Sequence, residues 1–383
     1  NNMNSIIAAD QTWELWTILL IAALIGFWSQ RTRIGARYSA AVVTMLITFV
    51  LSNSGVIPTV SPVYSQIWNY LVPLAIPLLL FQTNFMRILH ESGATLIAFA
   101  VGVVGVIVGS FIAYWLVPLG EVDWQLAGMF SANYIGDTLN YYSTAKALEM
   151  QTTSVLTAGV AAINLMMIVY LLVLFTLPSL YQLRRYFIER TDPDRFGNTE
   201  QVLLRETERG GRHSLPSLTM ALALSAALCA ISFQLSNWLG WPGMTILFIT
   251  ALAVLLTTVM PNTMIKLEST SEVGMVIMQL LFATIGASAH VGSMLDAGPL
   301  LFVYAGIIFL VHLIFIVIGG RFMKLSLPDI VIASNASMGN PVTSIAMAAA
   351  RRWNNLMLPA VICGSLGYVI ATFIGTMIGT ILQ

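Results

Sequence analysis

Apolar runs of about 17 to 25 residues recur along this whole sequence, each long enough to cross a hydrocarbon core of about 30 Å as a helix. Hydrophobic residues make up 57% of the chain and charged residues 9%, far under the roughly 25% charged content of soluble domains. A water-soluble fold could not hide that much apolar surface, so the sequence predicts an all-α polytopic membrane protein embedded in a lipid bilayer. Residues 1–11 are polar without a basic cluster, so the first run is expected to stay as a membrane helix rather than be cleaved. Cys229 and Cys363 sit inside apolar runs without metal-ligand spacing and read as small buried hydrophobes.

Charge, Pro and Gly delimit segments at 13–29, 39–54, 65–86, 93–117, 124–147 and 154–180, then at 217–235, 242–260, 271–288, 298–319, 327–350 and 356–381. A hydrophilic linker at 182–216 thus separates an N-terminal repeat, 13–181, from a C-terminal repeat, 217–383. Three local likenesses recur in order between the halves. Leu80-Phe81 answers Leu281-Phe282, and Glu91-Ser92-Gly93 answers Asp296-Ala297-Gly298. Best of all, Ser131-Ala132-Asn133-Tyr134-Ile135-Gly136-Asp137 lies over Ser334-Asn335-Ala336-Ser337-Met338-Gly339-Asn340. This is the mark of a duplicated membrane unit.

Basic residues orient the copies, because Lys and Arg in short loops stay cytoplasmic. If all twelve segments cross, the basic residues divide almost evenly between the two sides. If each fifth segment instead enters and leaves on one side, Arg31, Arg33, Arg37, Arg87, the seven linker arginines, Lys266, Arg321, Lys324, Arg351 and Arg352 all become cytoplasmic. Only Lys146 is then outside. The halves become inverted repeats, each of five transmembrane helices plus one broken or re-entrant helical hairpin, with both chain termini outside.

The fifth segments suit that role. Each has apolar arms of about ten residues, which as helix reach only about 15 Å, half the membrane. Between the arms, Gly136 and Gly339 supply backbone freedom. Asp137 and Asn340 stand where a helix N-cap would, and Pro341 is a favoured first helical residue. Irregular backbone at this depth implies an internal polar site. Helix N-termini attract anions and C-terminal carbonyls attract cations. We expect Asn133, Asp137, Thr138 and Asn335 to hold a coupling cation such as Na⁺. Asn140, Tyr141, Ser337, Asn340, Thr343 and Ser344 are expected to receive an anionic or otherwise polar small solute. The competing reading makes these residues simple caps and backbone partners.

Gln82, Thr83, Asn84 and Thr284 are candidate lining residues. Tyr142 could wall the chamber or anchor at the interface. His312 and Asn164, inside spans, read as helix-to-helix hydrogen-bonding residues, and the pairs Gly105/Gly109 and Gly375/Gly379 as close-packing positions. No phosphate-cradling loop, His/Cys metal cluster or Gly-x-Ser-x-Gly elbow is present in the sequence. Neither enzyme activity nor a cofactor beyond Na⁺ is expected, and no nucleic-acid partner.

The stretch Gly128 to Asn140 and its counterpart Ala333 to Pro341, with Ile76-Pro77-Leu78-Leu79-Leu80-Phe81 and the span beginning at Gly93, resemble the YjcL-like family of membrane proteins of unknown function. That family is grouped with bile-acid/sodium symporters, cation/proton antiporters, and sodium-citrate and sodium-glutamate symporters. The resemblance implies a rigid scaffold domain built from the first two segments of each half and a mobile core domain built from the third to sixth. It also implies a homodimer in a bacterial inner membrane. The reading is a secondary active transporter coupled to Na⁺ or H⁺ by an elevator-type movement. A cation/proton antiporter is the nearest alternative, and a non-transporting sensor or a channel the alternative of another class. The Asp-Asp pair of electrogenic proton antiporters is missing. With Cys229 and Cys363 replaced, Lys146→Cys should react with an impermeant thiol reagent only from outside, and Arg195→Cys only from the cytoplasmic face; labelling of both from one face contradicts the assigned topology.

Overall fold

A computed structural model describes residues 5–32, 39–81, 92–150, 153–187, 215–241, 244–264, 267, 270–292 and 298–383. Among these residues the secondary structure is helical, without a strand. The helices of the first half are α1 (Thr12–Ser29), α2 (Ala40–Asn53), α3 (Pro62–Leu80), α4 (Gly93–Leu116), α5 (Asp123–Ile135), α6 (Thr138–Ala147), α7 (Thr153–Thr176) and the short α8 (Tyr181–Phe187). Those of the second are α9 (Leu215–Leu239), α10 (Thr245–Val259), α11 (Thr270–Ser288), α12 (Pro299–Phe322), α13 (Leu327–Met338), α14 (Pro341–Ala350) and α15 (Met357–Leu382).

Eight of the described helices are long and apolar enough to cross a membrane: α1, α3, α4, α7, α9, α11, α12 and α15. The second segment of each half falls short of the expected span, since α2 has 14 residues and α10 has 15, or about 21 and 22 Å of helix. Large apolar side chains such as Leu24, Ile231, Phe233 and Phe373 face outward, and Trp13, Trp28, Trp115 and Trp238 stand exposed at helix ends, where indole rings settle at a lipid–water boundary. The chain is an integral, multi-pass membrane protein.

Local sequence accounts for the irregular helix α3. Pro73 and Pro77 carry no N–H, so the carbonyls one turn back lose their partners. The helix widens into a π turn over Ile67–Leu71, where Val72 N–H bonds the Ile67 carbonyl.

The helices sort into two groups. In one, α11 packs on α2, α3 and α1, while α9 and α10 pack on each other and on α3. Gln279 Nε2 donates to Thr44 Oγ1 at 2.5 Å, and Asn53 bridges α2 to the end of α11 through Ala289 O (2.7 Å) and Val291 N (2.8 Å). The third segment of each half, which the resemblance assigns to the core, therefore packs with the first two segments instead. In the other group α4 and α12 form the closest pair, surrounded by α5, α6, α7, α13, α14 and α15. Among the described residues the contacts between the groups are limited, chiefly α11 with α14 and α10 with α15.

Small residues let backbones meet at membrane depth. A Cβ on Gly105 would lie 2.8 Å from the Phe315 Cβ, and one on Gly109 3.0 Å from the Ile308 Cα, so α4 lies directly against α12. Gly128 of α5 and Gly375 of α15 face each other, and a Cβ on either would lie 2.5 Å from the other's carbonyl oxygen. Both close-packing glycine pairs read from the sequence lie at such crossings, with Gly379 seated on Leu148. Gly375→Leu should lower the thermal midpoint of the detergent-solubilised protein, at a cost of about 1–3 kcal/mol or more. Gly93→Ala, which meets open space, should leave the midpoint unchanged or raise it.

Candidate functional site

The backbone breaks in the same way in both fifth segments. Helix α5 ends with Gly136 N–H on the Ala132 carbonyl (3.0 Å), and α13 with Gly339 N–H on the Asn335 carbonyl (2.8 Å). Gly136 (φ −120°, ψ −98°) and Gly339 (φ −99°, ψ −100°) follow one path, and the next residues, Asp137 and Asn340, are both fully extended. Glycine is required by crowding: a Cβ at 136 would meet Ala371 at 2.7 Å, and one at 339 would meet Thr343 Oγ1 at 2.6 Å.

At each break the arms fold back on one another. Gln125, near the start of α5, donates through Nε2 to the carbonyl of Leu148, which follows α6, at 2.9 Å. A straight helix would hold those residues about 34 Å apart. In the second unit Asn335 Nδ2 reaches the Thr343 carbonyl (3.1 Å) and the Met347 sulfur (3.5 Å).

The two breaks meet. Ser337 Oγ donates to the Tyr134 carbonyl at 2.9 Å, and α15 runs past both, with Gly367 against the Ile135 carbonyl and Gly364 against the Pro341 ring. Their polar groups are used differently. In the second break Asn340 and Thr343 form a reciprocal capping box (Thr343 N to Asn340 Oδ1, 2.9 Å; Asn340 N to Thr343 Oγ1, 3.2 Å). Thr343 Oγ1 also lies 3.0 Å from Asn335 Oδ1, and Ser344 Oγ donates to the Asn340 carbonyl at 3.0 Å. Every one of these side chains is buried, and all of their bonds stay inside the unit.

The first break is open by comparison. Asp137 Oδ1 accepts from Thr138 N (2.6 Å) and Oδ2 from the Tyr368 hydroxyl (2.7 Å). Asn140 Nδ2 donates to Tyr368 O (3.0 Å) and Thr372 Oγ1 (2.8 Å). Asn133 Oδ1, Tyr134 Oη, Asn140 Oδ1 and Thr144 Oγ1 are buried without a partner among the described residues, although such groups are normally bonded. Tyr141 is buried with its hydroxyl on the Leu156 carbonyl (3.3 Å), against α7. A pocket of about 490 Å³ lies between α6, α15 and the start of α10, with Asn140 and Tyr368 on one side and Trp241 and Met244 on the other.

Other expected residues scatter. Thr284 is buried and bonds its own helix at Leu281 O (2.7 Å), while Gln82, Thr83 and Asn84 lie outside the described residues. His312 is a junction: Nδ1 faces the Gly102 carbonyl at 2.8 Å and so carries the proton, leaving Nε2 to accept from Ser334 Oγ at 2.9 Å. Tyr170 joins the same serine, so four helices share one polar chain. Asn164, expected to bond a neighbouring helix, is exposed at the centre of α7 instead. Tyr368 and Thr372 escaped the sequence reading because they sit in an ordinary apolar run. Asp329 escaped it too: it is 1% exposed and bonded by Thr95 Oγ1 (2.7 Å) and Ser326 Oγ (2.5 Å). Its signal was the Ser326-Leu327-Pro328-Asp329 capping pattern.

Over residues 17–383 the sequence matches the family described as "Protein of unknown function (DUF819)". The chain belongs to this family. It is also 32% identical over 395 aligned residues, covering 98% of each chain, to the "Uncharacterized membrane protein YjcL" of Bacillus subtilis (strain 168). The DUF819 match spans both halves, so both breaks and α15 between them fall inside it. Thr343→Val should destabilise this DUF819 protein by about 1–3 kcal/mol, because it strands Asn340 N–H and an Asn335 oxygen without water. Ser344→Ala, whose hydroxyl only doubles a carbonyl bond already made by Ser344 N–H, should cost about 0.5–1.5 kcal/mol or less. Thermal unfolding in detergent separates the two.

Proposed function

We propose that this DUF819 protein is a secondary active transporter that carries a small polar organic solute across the membrane, coupled to Na⁺ or H⁺. The observation that carries the reading is the junction of two broken helices at the Ser337–Tyr134 bond, with Asp137 in the first break and four buried oxygen atoms of α5 and α6 left without a partner among the described residues. Unpaired polar groups at membrane depth are costly and mark solute or ion pathways. Oxygen donors without a basic partner suit a small hard cation.

The matching backbone at Gly136-Asp137 and Gly339-Asn340 supports inverted repeats, and the folded-back arms support re-entrant hairpins that dip in from opposite faces. In that arrangement α1, α2, α3, α9, α10 and α11 form the scaffold, and the group around α4 and α12 moves against it. Limited contact between the groups favours such an elevator-type motion. Asn164, exposed in mid-helix, favours a homodimer in which a second copy supplies its partner. Both termini outside is the orientation that the charge distribution favours, and a bacterial inner-membrane location is what the family resemblance implies. A cation/proton antiporter uses the same single carboxylate, with protons exchanging for the cation at Asp137. No enzymatic step or organic cofactor belongs to this reading.

Counterflow in proteoliposomes tests it. Radioactive Na⁺ outside should exchange against Na⁺ inside, or a proton gradient should be dissipated on addition of solute. Asp137→Asn should weaken the ion dependence by at least about tenfold, equivalent to 1.4 kcal/mol. Gradient-driven single-channel currents, or ion dependence unaltered in Asp137→Asn, would contradict the proposal.

A further inference from the structure

The two breaks share a backbone path but not a cap, and the difference strands two polar groups. In the second break the N-cap residue and the one three places on, Asn340 and Thr343, bond each other in both directions: Thr343 N–H on Asn340 Oδ1, and Asn340 N–H on Thr343 Oγ1. In the first break the same two places hold Asp137 and Asn140, and neither bond is made. The Asp137 N–H has no acceptor among the described residues. Asn140 Oδ1 has no donor among them, although its side chain is only 7% exposed. These are the donor and acceptor that a capping box joins.

The acceptor already stands near its place. A Cβ on Gly136 would lie 2.4 Å from Asn140 Oδ1, just as one on Gly339 would lie 2.6 Å from Thr343 Oγ1. What holds the box open is α15. The Tyr368 hydroxyl donates to Asp137 Oδ2 at 2.7 Å, while Oδ1 rests on the Thr138 N–H rather than on that of Asn140. The Asn140 amide is drawn the same way, its Nδ2 donating to Tyr368 O (3.0 Å) and Thr372 Oγ1 (2.8 Å). Turning the carboxylate into the cap gives up the bond from Tyr368 and lets the stranded N–H and oxygen meet. Buried polar groups left unbonded are costly, so the self-capped arrangement is a close competitor of the one seen.

We propose that the Asp137 carboxylate exchanges between Tyr368 and its own cap, and that Tyr368 is the positioning residue that holds it in the place seen here. With the carboxylate on Tyr368, α15 is tied to the first break. With the carboxylate in the cap that tie is released, and α15 also packs on the second break, through Gly364 against Pro341. The inference deepens the transport reading by naming what an ion acts on, since an ion arriving at Oδ2 competes with the Tyr368 hydroxyl for that oxygen. It rests on that reading only for the ion.

Fluorine NMR of the purified full chain carrying 3-fluorotyrosine at position 368 reads the hydroxyl's partner directly, and Asp137→Ala marks the resonance of the released state. Asn140→Thr gives the first break the residue that closes the second, and Asn140→Ser offers the same hydroxyl on a smaller side chain. Both should move the Tyr368 resonance to the Asp137→Ala position. A resonance that stays at the wild-type position, or moves to a third one, in either folded variant would overturn the exchange. Adding Na⁺ to the wild-type protein should move the resonance the same way. If the Asn140 variants switch and Na⁺ has no effect, sodium coupling at Asp137 falls and the exchange stands.

Discussion

Inside hydrocarbon a broken helix leaves N–H and C=O groups that no water can take, and each such group costs several kcal/mol unless the protein bonds it. Two breaks at one place are therefore a heavy demand on a single chain. The second is closed from within by Asn335, Asn340, Thr343 and Ser344. The first borrows from its surroundings, through Tyr368 and Thr372 of α15, and still leaves four buried oxygens unsatisfied. The position of α15 follows from that demand. Its glycines at 364, 367 and 375 let it run close enough to touch both breaks and α5 at once.

The two matching breaks use their polar groups unequally. Asp137 and Asn340 occupy equivalent places with the same extended backbone, but one is a half-buried carboxyl group while the other is a buried amide. Asn140 stands where the second unit has Thr343. The threonine turns back to cap its own helix, whereas the asparagine reaches across to α15. The second break is thus closed on itself, while the first depends on α15 for its partners.

The sequence carried the membrane class and the sites of both breaks, because those depend on run length and on local cap chemistry at Gly136-Asp137 and Gly339-Asn340-Pro341. What it could not carry was partnership over distance. Tyr368 lies some 231 positions from Asp137 in a helix whose pattern is unremarkable, and the seam between the two helix groups is a property of packing that run length does not encode. The resemblance implied a core that includes α3 and α11, and both pack instead with the first two segments. The polarity of Asn335, Thr343 and Ser344 was legible, and their bonds within the second unit were not; nor was the reach of Ser337 across to the Tyr134 carbonyl. Asp329 was hidden for the opposite reason, since a Ser-x-x-Asp cap looks like routine helix punctuation.

A shared polar site inside the membrane requires that the arms at each break double back. In a background without native cysteines, Gln125→Cys and Leu148→Cys should be joined in high yield by a short bifunctional thiol reagent in native membranes. If both thiols react fully with a monofunctional reagent yet never cross-link, the fifth segment runs on through the bilayer as a broken but crossing helix, and the shared polar site is lost with it.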